Sequence, residues 1–192
     1  MPSPYEAALD LAGLHPRLRA YFGAIPAGSV GRGSGVFDAV GTPRRWLWPV
    51  LSILGRQGVV FPHWGGNVPF AVVNTPDGGE LAGRRTFHFS DGDRTMTDRM
   101  RVVDGRLVDD LGHARRYRAT LTARVVDGAL TLRSESFRLR VGRLHLPFPG
   151  RVDLVERWDD GSARQHVAVT ITVPVIGRVY EYAGFFTYEV TP

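Results

Sequence analysis

The chain contains no cysteine and no lysine. The first absence excludes disulfides, thiolate nucleophiles and cysteine-based zinc or iron–sulfur centres. The second leaves all 24 basic side chains to arginine, a pattern better explained by the coding bias of a GC-rich genome than by selection for phosphate binding. No uninterrupted apolar run reaches the ~18 residues that span a bilayer, so no transmembrane segment is expected. The opening residues, Met1-Pro2-Ser3-Pro4-Tyr5-Glu6, lack the basic stretch followed by an apolar one that marks a signal peptide, and a cytoplasmic location is expected. Repeats, low-complexity tracts and long linkers are also missing, so residues 1–192 are expected to form one domain.

The net charge is +5 and the isoelectric point lies near 10.2, a balance that invites an acidic partner. The arginines, however, are spread along the chain in nothing longer than pairs such as Arg44-Arg45, Arg84-Arg85 and Arg115-Arg116. That spacing argues against both nucleic acid and an acidic membrane surface. Gly31-Arg32-Gly33-Ser34-Gly35 fits neither phosphate-binding glycine pattern and has no lysine to complete one. It is expected to be a strand whose glycines permit curvature or close backbone approach. His15, His63, His88, His113, His145 and His166 show no metal-ligand spacing, and no serine sits in G-x-S-x-G. Neither a metal nor a cofactor is expected.

What the chain does have is five Asp-Gly dipeptides, at 77–78, 91–92, 104–105, 127–128 and 160–161. Asp-Gly favours two-residue hairpin turns because both positions tolerate positive φ. The expected fold is therefore mainly β: an antiparallel barrel of the calycin or lipocalin kind, or a strongly curled sheet, formed by a meander over 67–192. Ser3-x-x-Glu6 predicts a capping box opening N-terminal helices within 1–25, the second running from Pro16 to Phe22 and stopping at Gly23. The segment 43–56, with Trp46, Leu47, Trp48, Val50, Leu51, Ile53 and Leu54, is apolar nearly all round. Such a segment, preceded by two arginines, can dip into a membrane interface. Because it is short and basic at only one end, the favoured expectation is a helix buried over one barrel mouth, with Trp46 and Trp48 on the wall of a ligand cavity.

Turn position fixes register. A two-residue loop at Asp91-Gly92 sets Phe87 opposite Met96 and Arg85 opposite Asp98, with Phe87, Phe89, Met96 and Met100 on the same core-facing side. At Asp160-Gly161 it sets Glu156 opposite Gln165, and at Asp127-Gly128 it sets Val125, Ala123 and Leu121 opposite Leu130, Leu132 and Ser134. In the last strand Tyr180 and Tyr182 face inward, because the other face carries Glu181 and Glu189. A charged pair among apolar neighbours fixes register at a desolvation cost, or else orients a ligand. The candidate ligand-binding residues are accordingly Arg85, Asp98, Phe87, Met96, Tyr180, Tyr182, Trp46 and Trp48. The expected occupant is a small apolar or amphipathic molecule. Should the cavity be catalytic, as in a cofactor-independent cyclase or isomerase, Asp98 or Glu156 would move the proton while Arg85 polarises a carbonyl.

Several short motifs carry a family resemblance: His15-Pro16-Arg17-Leu18-Arg19, Gly31-Arg32-Gly33-Ser34-Gly35, Arg85-Thr86-Phe87, Asp98-Arg99, Gly142 with Leu146-Pro147, and Pro174-Val175-Ile176-Gly177-Arg178-Val179-Tyr180-Glu181-Tyr182-Ala183-Gly184. In these the sequence resembles the bacterial family described as domain of unknown function 4166. It departs from the pattern at Arg84, where tryptophan is expected, and at Asp98, where glutamate is more usual. Some relatives are fused to a saccharopine-dehydrogenase-like nucleotide-binding domain. The resemblance thus implies work beside redox or lipid-like metabolism and a partner oxidoreductase, and it brings no catalytic residues with it.

Overall fold

The predicted capping box forms. In the computed structural model, which describes residues 1–192, Ser3 Oγ accepts from the Glu6 amide at 3.1 Å and the Glu6 carboxylate accepts from the Ser3 amide at 2.7 Å. Helix α1 (Pro4–Ala8) follows, then α2 (Pro16–Phe22), which ends at Gly23 as its sequence predicts. Ser3 Oγ also donates to the Phe22 carbonyl, tying the start of α1 to the end of α2. The glycine-rich segment lies within strand β1 (Val30–Gly41). After a 3-10 turn at Arg45–Leu47 comes α3 (Trp48–Arg56), with proline at its first turn.

The remainder is strand: β2 (Trp64–Gly65), β3 (Val68–Asp77), β4 (Glu80–Phe89), β5 (Gly92–Val103), β6 (Arg106–Leu111), β7 (Tyr117–Val126), β8 (Ala129–Val141), β9 (Leu144–Pro147), β10 (Arg151–Asp159), β11 (Arg164–Val173) and β12 (Gly177–Thr191). Each long strand pairs antiparallel with its neighbour in the chain, β12 returns to β1, and β8 pairs with β10. These pairings close a ten-stranded antiparallel barrel of the calycin or lipocalin-like kind, with β2 and β9 as short additions beside β1 and β8. Closure leaves the barrel strands without free edges.

The Asp-Gly turns form in four different ways. At Asp104-Gly105 and Asp127-Gly128 both residues take positive φ, and the predicted register around the second is found: Leu121, Ala123 and Val125 face Ser134, Leu132 and Leu130. At 77–79 the turn slides one residue onward, because Gly78 and Gly79 both reach positive φ more easily than Asp77 would. Two predicted registers need correction. The β4–β5 loop is Ser90-Asp91, with Gly92 (φ 120°) already in the strand, so Arg85 faces Met96 and Asp98 faces Gly83. The β10–β11 loop holds four residues, with Ala163 taking the positive φ, so Glu156 faces Val167. Both errors are shifts of two. Because strand side chains alternate with a period of two, each residue stays on its predicted face.

Inward alternation builds the core. Phe37, Phe70, Phe87, Phe61 and Tyr182 form a ring cluster with centroids 4.3–5.8 Å apart, and each buried aromatic contributes roughly 1.5–3 kcal/mol. Helices α1 and α2 close one end of the barrel: Gly13 lies against Val125, the His15 amide donates to the Gly128 carbonyl at 2.9 Å, and Tyr21 packs on Tyr188 and Phe186. The 3-10 turn and helix α3 lie over the other end, with Leu47 of the turn and Leu51 of the helix turned inward. The opposite face corrects the expectation of a fully buried cap, since Trp46, Val50 and Ile53 are exposed.

The β1–β12 seam depends on Gly184. A Cβ there would lie 2.4 Å from Phe37 Cα and 2.5 Å from the Val36 carbonyl oxygen, backbone that cannot move aside. Gly184→Ala is expected to lower unfolding stability by roughly 2–4 kcal/mol, measured by urea denaturation. A loss below about 0.5 kcal/mol would show that the seam has slack.

Candidate functional site

The half of the barrel beneath α3 encloses a cavity of about 370 Å³, room for roughly a dozen water molecules. Of its 31 lining residues, 26 are hydrophobic, drawn from Tyr5 of α1, the 3-10 turn and α3, the 59–60 turn, and strands β5 to β12 with their connections. The other five are Arg85, Thr97, Asp98, Asp109 and Glu156. Four ionisable groups therefore share a largely apolar chamber.

Arg85 and Asp98 form an ion pair, diagonal across β4 and β5 rather than directly opposed. Gly83 makes the diagonal possible: a Cβ at that position would lie 2.8 Å from both carboxylate oxygens of Asp98. Glu156 is 5% exposed and accepts a hydrogen bond from Gln165, the contact its sequence position predicts, again reached diagonally. Burial pushes its carboxyl up to about 7, against the opposing effects of Arg85 and Gln165.

Asp109 is the interior carboxylate that the sequence reading missed. It faces Met100 on β5, and its Oδ1 is buried with no protein partner. Burial pushes its carboxyl up to about 6; Arg85 opposes the rise and Asp110 adds to it. The signal was present, because extending the Asp104-Gly105 hairpin by the same two-residue rule puts Asp109 opposite inward-facing Met100. Its neighbour Asp110 points to the outer face, where Arg118 binds it through two contacts of 2.6 and 3.2 Å and Arg101 reaches it at 2.9 Å. Two adjacent aspartates thus meet opposite environments, one with two arginine partners and one with an unpartnered oxygen.

Most of the predicted site residues converge here. Arg85, Asp98, Met96, Tyr180, Tyr182, Trp46 and Glu156 all line the cavity. Phe87 does not; it is completely buried in the aromatic cluster with Phe37 and Phe70. Trp48 also lies off the wall, stacked on His63 at 6.3 Å. The tyrosine hydroxyls make no hydrogen bond to Arg85 or Asp98, although burial raises Tyr182 to about 12 with Arg85 pulling the other way.

Together these features define a closed antiparallel barrel whose apolar cavity carries one ionisable cluster. The chain belongs to the family described as domain of unknown function (DUF4166), whose match covers residues 14–186 and so takes in every cavity-lining residue except Tyr5. No curated protein matches the chain. No helix is long and apolar enough to cross a membrane.

Removing the cation should strand the carboxylates. Arg85→Met is expected to cost about 3–5 kcal/mol, because Asp98 is left buried and unpaired, and adding Asp98→Leu should restore much of the loss. A single variant as stable as wild type in urea would place the guanidinium in solvent. Glu156 should also set a pH dependence. Its folded value of about 7 exceeds the ordinary 4.5, so its contribution is full below pH ~4.5 and is lost as pH rises through about 7, on the order of 3 kcal/mol in all. Wild type should therefore lose more stability than Glu156→Gln between pH 5 and 8, and parallel profiles would mean that Glu156 ionises freely.

Proposed function

We propose that the protein binds a small, largely apolar molecule inside the barrel, anchored by a polar group at the Arg85 cluster. The observation that carries this reading is the segregation of the cavity wall: every lining residue outside one ionisable cluster and Thr97 is apolar. Ligand sites commonly combine an apolar body with a few convergent polar groups. Arg85 suits a carbonyl, phenolate or carboxylate on the occupant, and the unpartnered Asp109 Oδ1 suits a hydroxyl or amine donor. Met96, Tyr180 and Tyr182 would hold the apolar body, with Trp46 at the entrance. An oxidoreductase partner in the cytoplasm would supply or receive the bound molecule.

One observation favours a second reading, a cofactor-independent cyclase or isomerase. Two carboxyl groups, held at about 7 and about 6, lie in the same chamber as a guanidinium. Groups with such values exchange protons near neutral pH. In that case Glu156 moves the proton more readily than Asp98, which is tied to Arg85.

Incubation of the protein with a metabolite extract from its source organism, followed by mass spectrometry of the retained and altered compounds, separates these readings. Retention without conversion, abolished when Ala119→Trp fills the cavity and preserved in Glu156→Gln, is the expected result for a binder. Conversion lost in Glu156→Gln would establish the enzyme. A compound retained equally by Ala119→Trp would place binding outside the barrel and refute both.

A further inference from the structure

The arginines dispersed in sequence are gathered by the fold. Three segments that contribute to the cavity wall, 43–57, 138–152 and 173–178, hold Arg44, Arg45, Arg56, Arg138, Arg140, Arg143, Arg151 and Arg178 and no aspartate or glutamate. Eight of the 24 arginines and none of the 19 acidic residues therefore lie in these segments, so the rest of the protein is net acidic. Of the eight, Arg178 alone is in an ion pair, with Glu181 at 2.7 Å. This overturns the expectation, drawn from spacing along the chain, that the basic charge has no focus.

The same segments expose large apolar side chains. Trp46, Val50 and Ile53 follow helical spacing along the outer face of α3 and are 61%, 57% and 57% exposed, and Leu144 in β9 and Val175 in the β11–β12 turn are 65% and 108% exposed. Trp46 and Val50 also line the cavity. Residues that border both the interior and bulk solvent mark its mouth, so the apolar rim and the basic segments surround the same opening.

We infer that this mouth docks on an anionic lipid bilayer. The apolar side chains would enter the headgroup layer while the neighbouring arginines meet lipid phosphates, the combination that holds basic amphipathic surfaces at membranes. A nucleic acid would satisfy the arginines but leave Val50, Ile53, Leu144 and Val175 without apolar partners. Docked in this way, the cavity opens directly onto the bilayer, and an apolar occupant could pass between the two without crossing water. The inference does not depend on which molecule the interior holds.

The test is co-sedimentation of the full chain with vesicles of phosphatidylcholine alone and with about one-third phosphatidylglycerol. Binding is expected to the anionic vesicles, and it should be reversed in ~1 M salt, where screening shortens to about 3 Å. At roughly fivefold per charge, the equivalent of ~1 kcal/mol for each arginine, the triple variant R44Q/R45Q/R143Q should bind about a hundredfold more weakly. R17Q/R124Q/R157Q, with the same charge change away from the mouth, should bind like wild type. V50D/I53D should lose binding while keeping the circular dichroism spectrum of wild type; L144D/V175D offers the same test on the opposite rim should α3 fail to fold. Wild type that ignores anionic vesicles, or binds neutral ones equally well, would overturn the inference. So would equal losses in the two arginine triples, arginine-dependent binding to RNA without vesicle binding, or a dimer that buries Trp46.

Discussion

A single guanidinium governs the interior of this barrel. Arg85 pairs with Asp98 and also holds down the carboxyl groups of Asp109 and Glu156, which burial would otherwise raise further. Three acids around one base cannot all ionise cheaply in a chamber with an apolar wall. The arrangement settles by pairing one carboxylate closely and leaving the other two with weakened acidity. What enters the cavity meets groups whose charge responds to pH and to the occupant, rather than an inert ion pair.

That chemistry depends on backbone constraints some distance away. Gly184 lets β12 approach β1 and closes the sheet, and Gly83 opens the space that Asp98 needs to reach Arg85. The aromatic cluster of Phe37, Phe70 and Phe87 fills the side of the barrel formed by β1, β3 and β4. The unfilled volume is left on the side formed by β5 to β12, between α3 and Tyr5 of α1, where the ionisable residues lie.

Much of this was legible in the sequence, for identifiable reasons. Alternation placed Arg85, Asp98, Glu156, Tyr180 and Tyr182 on the inner face, and alternation survives a register slip of two. Pair identity did not survive it, because the conformation of a turn decides where it starts: Gly92 keeps a positive φ but already lies in β5, and Ala163 takes the positive φ expected at Asp160-Gly161. Phe87 and Trp48 show the limit of facing as a guide, since an inward residue can pack in the filled part of a barrel as easily as on a cavity wall. Asp109 was recoverable from its own hairpin. The arginine-rich mouth was not, because it joins three segments whose proximity exists only after the barrel closes.

The two faces of α3 connect these levels. Leu47 and Leu51 seal the chamber, while Trp46, Val50 and Ile53 face outward among arginines. The helix therefore separates, or joins, an apolar interior and an apolar exterior. The most direct test of the binding reading is a crystal structure of the protein with a retained compound. The expected result is electron density beneath α3, with a polar atom of the compound within about 3.2 Å of Arg85 or Asp109 Oδ1 and its apolar body against Leu132, Val169 and Ile171. A compound bound on the outer surface, with the interior unchanged, would contradict it.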